Sequence, residues 1–119
     1  MRIAVSAKGA DLDCPVDERF GRARGFILVD PETWAFECVP NAQNLEAPQG
    51  AGIQAARTVA ERGAEVLITG HVGPKAFRTL SAAGIEVVSG ATGTVREAVK
   101  AYLSGRLEAA DAADVEGHW

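Results

Sequence analysis

Cysteine is scarce in this 119-residue chain: Cys14 and Cys38 are the two present, with no C-x-x-C spacing. A zinc or iron–sulfur site made of thiolates alone wants about four ligands and is excluded. No apolar run approaches the ~18 residues of a membrane span. The opening stretch, MRIAVSAKGADLD, puts one basic residue before a short strand-like run, shorter than the roughly 7–15 apolar residues of a secretory leader. The chain therefore reads as cytoplasmic, with both thiols reduced. Positive charge is also in deficit, 12 Lys and Arg against 16 Asp and Glu for a net charge of −4, so the overall field favours no nucleic acid. Catalytic equipment is missing as well. The first strand-like segment, RIAVS, has no carboxylate to hold Mg²⁺ as a nuclease would, and no Ser or Cys stands in a nucleophile elbow. The expectation is a protein that is not an enzyme. What the chain does have is 47% apolar residues, enough for one small domain with a real core.

Strand signals cover residues 2–6 (RIAVS), 25–30 (GFILVD) and 34–39 (WAFECV), the last two joined by Asp30-Pro31-Glu32-Thr33, a type I turn sequence. A loop with two prolines follows at 40–49. The rhythm then changes to helical spacing over 51–62, with Ile53, Ala56, Val59 and Ala60 on one face and Gly63 as the stop. EVLIT (65–69) reads as a strand buried on both faces. Pro74 suits a first helical position, opening a helix over 74–83. IEVVS (85–89) is another strand, and Thr94-x-x-Glu97 is a capping box that opens the last helix, ending near Ser104-Gly105. RGAEVLITG and AGIEVVSG form a weak internal repeat of helix end, strand and glycine turn, which implies parallel strands with right-handed crossovers. The reading is an α/β domain over 1–107 in the order β-β-β-α-β-α-β-α. It is a five-stranded mixed sheet flanked by helices, of ribonuclease-H-like architecture, with a C-terminal tail over 108–119.

Three helices open from glycine-rich loops: Gly50-Ala51-Gly52, Gly70-x-x-Gly73-Pro74 and Gly90-x-x-Gly93-Thr94. The last two follow the carboxyl ends of parallel strands, where open α/β sheets bind ligands. Each loop on its own serves a tight turn as readily as an anion; together they point to an anion site at helix N-termini. A nucleotide is not supported. The G-x-G-x-x-A run at 50–55 is separated from the preceding strand by a long loop, and Thr69 stands where an acidic residue would hold a ribose. GHVGPKA lacks the length and hydroxyl of a P-loop. A compact anion suits these glycines better.

Arg19 and Arg22 flank Phe20 and Gly21 in DERFGRARGF, just before a strand, and could fold a basic flap over the same edge. Lys75 lies in the first turn of a helix, where its charge opposes the dipole. An anion nearby would explain it; a side chain swung into water would too. His71 follows a strand at the ligand edge and is a candidate metal or anion contact, or a loop hydrogen bond. Cys14 is a second candidate metal contact or an ordinary thiol. Cys38, alternating with Phe36, is expected to pack.

The blocks E-R-F-G-R-A, Q-G-A-G-I-Q-A-A, I-T-G-H-V-G-P-K-A-F, G-A-T-G-T-V and D-V-E-G-H-W resemble the nitrogenase iron–molybdenum cofactor-carrier family, in its orange-protein branch, over nearly the whole chain. The resemblance implies a ribonuclease-H-like fold without nuclease activity. It also implies non-covalent binding of a preformed anionic metal–sulfur cluster, a mixed molybdenum–copper sulfide. Taken with the reading of the loops, the candidate cofactor contacts are Arg19, Phe20, Gly21, Arg22, Gly50, Ala51, Gly52, His71, Gly73, Pro74, Lys75, Thr92 and Gly93, with His71 and Cys14 as candidate metal contacts. Members of the wider family carry His in place of Arg19 and Gln49, so this chain matches an electrostatic pocket rather than a histidine-ligated one. The same resemblance offers two alternatives: carriage of an iron–molybdenum cofactor precursor, and a module for a ParA/MinD-type ATPase linked to cell division. Neither nucleic acid nor membrane is an expected partner.

Overall fold

The computed structural model describes residues 1–41 and 51–107. Strand β1 (Ile3–Ala7) is buried at every residue, because it is central in a five-stranded sheet of order β3-β2-β1-β4-β5, formed with β2 (Gly25–Val29), β3 (Phe36–Pro40), β4 (Val66–Ile68) and β5 (Glu86–Val88). β1 pairs antiparallel with β2 (Ile3 opposite Val29) and parallel with β4 (Ile3 opposite Val66). β4 pairs parallel with β5, and β2 antiparallel with β3. The expected mixed sheet, a hairpin joined to a parallel half, is the observed one.

Side chains alternate across the pleat and build a core on each face. Ala4, Phe26, Leu28, Leu67 and Val87 face α1 (Ala51–Glu61) and α2 (Pro74–Ala82). Ile3, Val5, Ile27, Val29, Ile68 and Val88 face α3 (Val95–Leu103) and the loop carrying Leu12 and Val16. Three helices and one loop thus cover two apolar faces, the arrangement of an α/β layered domain.

Two sequence readings are corrected here. Trp34, read as a strand residue, belongs to the hairpin turn: its amide donates to the Asp30 carbonyl at 2.7 Å, and its φ is +64°. A bulky residue there is strained. The ring is compensated by packing on the α3-side core and by the Arg96 guanidinium, 5.6 Å from its centroid. Cys38, expected to pack, is exposed together with Phe36: by the pleat both stand on the face of β3 opposite Val39, the one residue of the strand buried in a core. Asn41 N–H on Arg24 O and Asp30 N–H on Ala35 O set the ladder alternation. It turns the amides of 37 and 39 toward β2 and positions 36, 38 and 40 outward. The N–H that Pro40 lacks would therefore have faced away from the sheet, where its loss is tolerated.

The outer side of α3 is tied to β5 by Tyr102, whose hydroxyl donates to the Glu86 carboxylate. That bond, with burial and the carboxylate's charge, pushes the phenol up to about 12. Tyr102 is the chain's single tyrosine, so its ionisation reads out alone. Phenolate absorbance should titrate near pH 12 in the folded protein and nearer 10 in Glu86→Gln. The tie stabilises fully below the unfolded pKa near 10 and is lost as pH climbs through about 12.

Candidate functional site

The parallel strands β1, β4 and β5 end on one edge of the sheet, and α2 and α3 begin there. β3 ends on the same edge, and α1 runs from that side back toward the start of β4. The glycine-rich loops at 70–73 and 90–93 therefore meet around a single rim, at the end of the strands where open α/β sheets bind ligands.

A buried polar join holds the rim in shape. Ser6 on β1 and Thr69 after β4 share a 2.7 Å hydroxyl–hydroxyl bond, and Ser6 Oγ donates to the Asp17 carbonyl at 2.7 Å. Both side chains are fully buried. The Asp17 amide returns a bond to Ser6 O at 2.8 Å, and the Asp17 carboxylate accepts the Arg19 amide. The segment then lies along the end of β4: the His71 amide donates to Glu18 O at 2.7 Å, and the Phe20 amide to His71 O at 3.3 Å. Gly70 makes that approach feasible, since a Cβ there would stand 2.7 Å from Glu18 backbone atoms. This glycine admits the chain's own backbone.

The consequence is a parallel bridge between Arg19 and His71, which sets two sequence-predicted site residues side by side. Phe20 opens a single 3₁₀ turn, Phe20–Arg22, and is 1% exposed with its ring 5.5 Å from Phe26. The buried ring anchors the turn, leaving Arg19 exposed and Arg22 half-buried. On the other side stands α2. Its N-cap is Gly73 in extended conformation with no side-chain cap, and Pro74 follows without an N–H. The amides of Lys75 and Ala76 thus face the rim with no capping side chain, and the exposed Lys75 adds a cation.

α3 is different. Its capping box is complete: Thr94 Oγ1 accepts the Glu97 amide, and Glu97 accepts the Thr94 amide. The next amides are spent too, Val95 on Cys14 O and Arg96 on Leu12 O. Gly93 stands at φ +81°, a conformation that L side chains rarely adopt, and a Cβ there would also crowd the Glu97 carboxylate of the box at 2.9 Å. The predicted loop at Thr92 and Gly93 therefore supplies walls and hydroxyls but not helix-end amides. It lines a cleft of about 370 Å³ with Lys8, Glu18 and Thr94. Gly90 still bonds Gly70, so the two loops are neighbours.

Ala51 and Gly52 lie in the first turn of α1; Gly50, Gln49 and the tail from 108 lie outside the described residues. His71 and Cys14 are not brought into a common ligand set. Cys14 packs against the α3-side core, and no group of three or more His, Cys, Asp or Glu able to hold a metal ion exists among the described residues. Sequence reasoning missed Lys8, Glu18 and Asn41. Lys8 was within reach of it, as the residue following the buried strand at its ligand end; Glu18 and Asn41 gave no local signal.

The model of the dinitrogenase iron-molybdenum cofactor family matches residues 1–105. Among solved structures, the apo form of the orange protein from Desulfovibrio gigas is 50% identical, with a TM-score of 0.92 over 96% of each chain. A putative NifB protein from Thermotoga is 37% identical, with a TM-score of 0.78 over 98% of each chain. An uncharacterised protein of Methanocaldococcus jannaschii is 30% identical over 91 residues, 75% of this chain and 77% of its own.

The join can be tested by denaturation. Gly70→Ala should cost about 2–3 kcal/mol, as overpacking against backbone does. Thr69→Val should cost about 1 kcal/mol, one net hydrogen bond with shape retained. Urea midpoints of the two variants against the parent check both values. Equal stability of Gly70→Ala and the parent would mean that the 17–20 segment does not pack on β4 as described.

Proposed function

The chain belongs to the dinitrogenase iron-molybdenum cofactor family, and on that premise we propose that it is a non-catalytic carrier of an anionic metal–sulfur cluster, a mixed molybdenum–copper sulfide. One observation carries the reading. A rim bearing Arg19, Arg22 and Lys75, with no side-chain cap at the start of α2, assembles charge and N–H donors, and among the described residues no set of metal ligands stands with them. Such a surface suits a preformed polyanion whose metals are already coordinated by sulfide. Half-identity to the orange protein over nearly its full length supports the choice of cargo.

Each group has a physical part. Arginine forks and first-turn amides donate to sulfide or oxo atoms on the cluster surface, bonds strengthened because the acceptor is charged. Lys75 contributes a point charge where it would otherwise only oppose the α2 dipole. Buried Phe20 behind the turn lowers the local dielectric and lengthens the reach of those charges. His71, beside Arg19, supplies a ring N–H or lone pair at closer range. No group here is asked to move a proton or form a bond.

Apo-protein mixed with tetrathiomolybdate and a copper salt, then desalted, should keep its colour with a fixed Mo:Cu ratio in the protein peak. Arg22→Glu with Lys75→Glu should release the colour, and raised salt should weaken retention by the parent, as screening demands. Retention unchanged by the double reversal at low and high salt would overturn this pocket. A colourless, metal-free parent peak would overturn the molybdenum–copper assignment, and the same measurement with an iron–molybdenum cofactor precursor would then follow.

A further inference from the structure

Asn41 directly follows β3 and is 9% exposed. Its Nδ2 donates to Ala23 O at 2.9 Å and Gly21 O at 3.4 Å, and its amide donates to Arg24 O at 3.2 Å. Three carbonyls that bracket Arg22 thus converge on one residue. The turn needs such help, because its own bonds are long: Arg22 N–H to Arg19 O at 3.3 Å and Ala23 N–H to Phe20 O at 3.4 Å. A lone 3₁₀ turn is intrinsically weak.

The other end of the same carboxamide makes no bond. Asn41 Oδ1 is buried and has no hydrogen-bond partner among the described residues. An orphaned buried acceptor costs more than an ordinary hydrogen bond returns, so packing alone would favour an apolar residue of this size. The position is better explained by what Nδ2 holds than by stability.

We propose that Asn41 is a positioning residue for cargo binding: it staples the Phe20–Arg22 turn to the end of β3 and so sets where the Arg22 guanidinium meets the anion. The proposal rests on the carrier reading, and its test separates the two. In Asn41→Leu, amide hydrogen exchange should rise about ten-fold or more over residues 21–24 and stay unchanged at the start of α2. Affinity for tetrathiomolybdate should fall roughly ten-fold, the value of one charge-assisted bond. In a double-mutant cycle, Asn41→Leu should cost nothing further in an Arg22→Ala background and its full effect in a Lys75→Ala background.

Unchanged exchange at 21–24, or equal losses in both backgrounds, would overturn the proposal. A parent that binds no tetrathiomolybdate would overturn the carrier reading and the cargo half of this one, while the exchange result would still decide the staple. If the leucine variant loses its fold, Asn41→Asp, the same shape with the donor replaced by an acceptor, takes its place in every measurement.

Discussion

The rim exists because one surface segment is sewn to the sheet by buried polar atoms. Two hydroxyls, Ser6 and Thr69, stand fully buried at the ends of neighbouring strands and satisfy each other and the Asp17 carbonyl. Loops ordinarily run over a surface because their backbone polar groups need water. Here the partners come from β1 and β4, so the loop can be drawn in against the sheet. Gly70 leaves room for it, and Phe20 sinks an aromatic anchor one step further on. Arg19, His71 and Arg22 have their positions as consequences of that join.

Two helix ends on the same edge then play unequal parts. α3 is finished internally: its hydroxyl, its carboxylate and two loop carbonyls consume the first-turn donors. α2 has a glycine cap, a proline and a lysine, a combination that satisfies nothing by itself. A helix end without a partner is an electrostatic resource, and leaving one open beside a turn with two arginines gives the rim a direction. The charge is local: the chain as a whole carries −4, so the positive character of this rim comes from the placement of a few side chains and amides rather than from net field.

The family relationship and this arrangement meet at a consistent chemistry. A cluster complete in its own sulfide shell asks a protein for donors, cations and shelter rather than thiolates. The rim has the first two from Arg19, Arg22, Lys75 and α2, and the third from the apolar core beneath Phe20. Asn41 belongs to the same logic. Its carboxamide nitrogen bonds two carbonyls of the arginine turn.

Much of this was legible along the chain, because periodicity, caps and turns are set within a few residues. The strand signal in GFILV, the helical spacing after Gly50, the Thr94–Glu97 box and Pro74 at a helix start each depend on neighbours in sequence, and each appears as read. Trp34 and Cys38 were misread because their outcomes depend on what lies across from them: a guanidinium from α3 in one case, and in the other which face of β3 the core covers, the one that carries Val39. Local sequence determined the elements, their order and the glycine-rich loops that face one edge. Only the tertiary structure decided that Arg19 lies beside His71, that Gly70 admits Glu18 rather than a ligand, that α2 is open where α3 is closed, and that Asn41 braces the arginine turn. Those facts are pairings between distant segments, and pairing is governed by burial and hydrogen-bond satisfaction across the sheet, which no local pattern encodes.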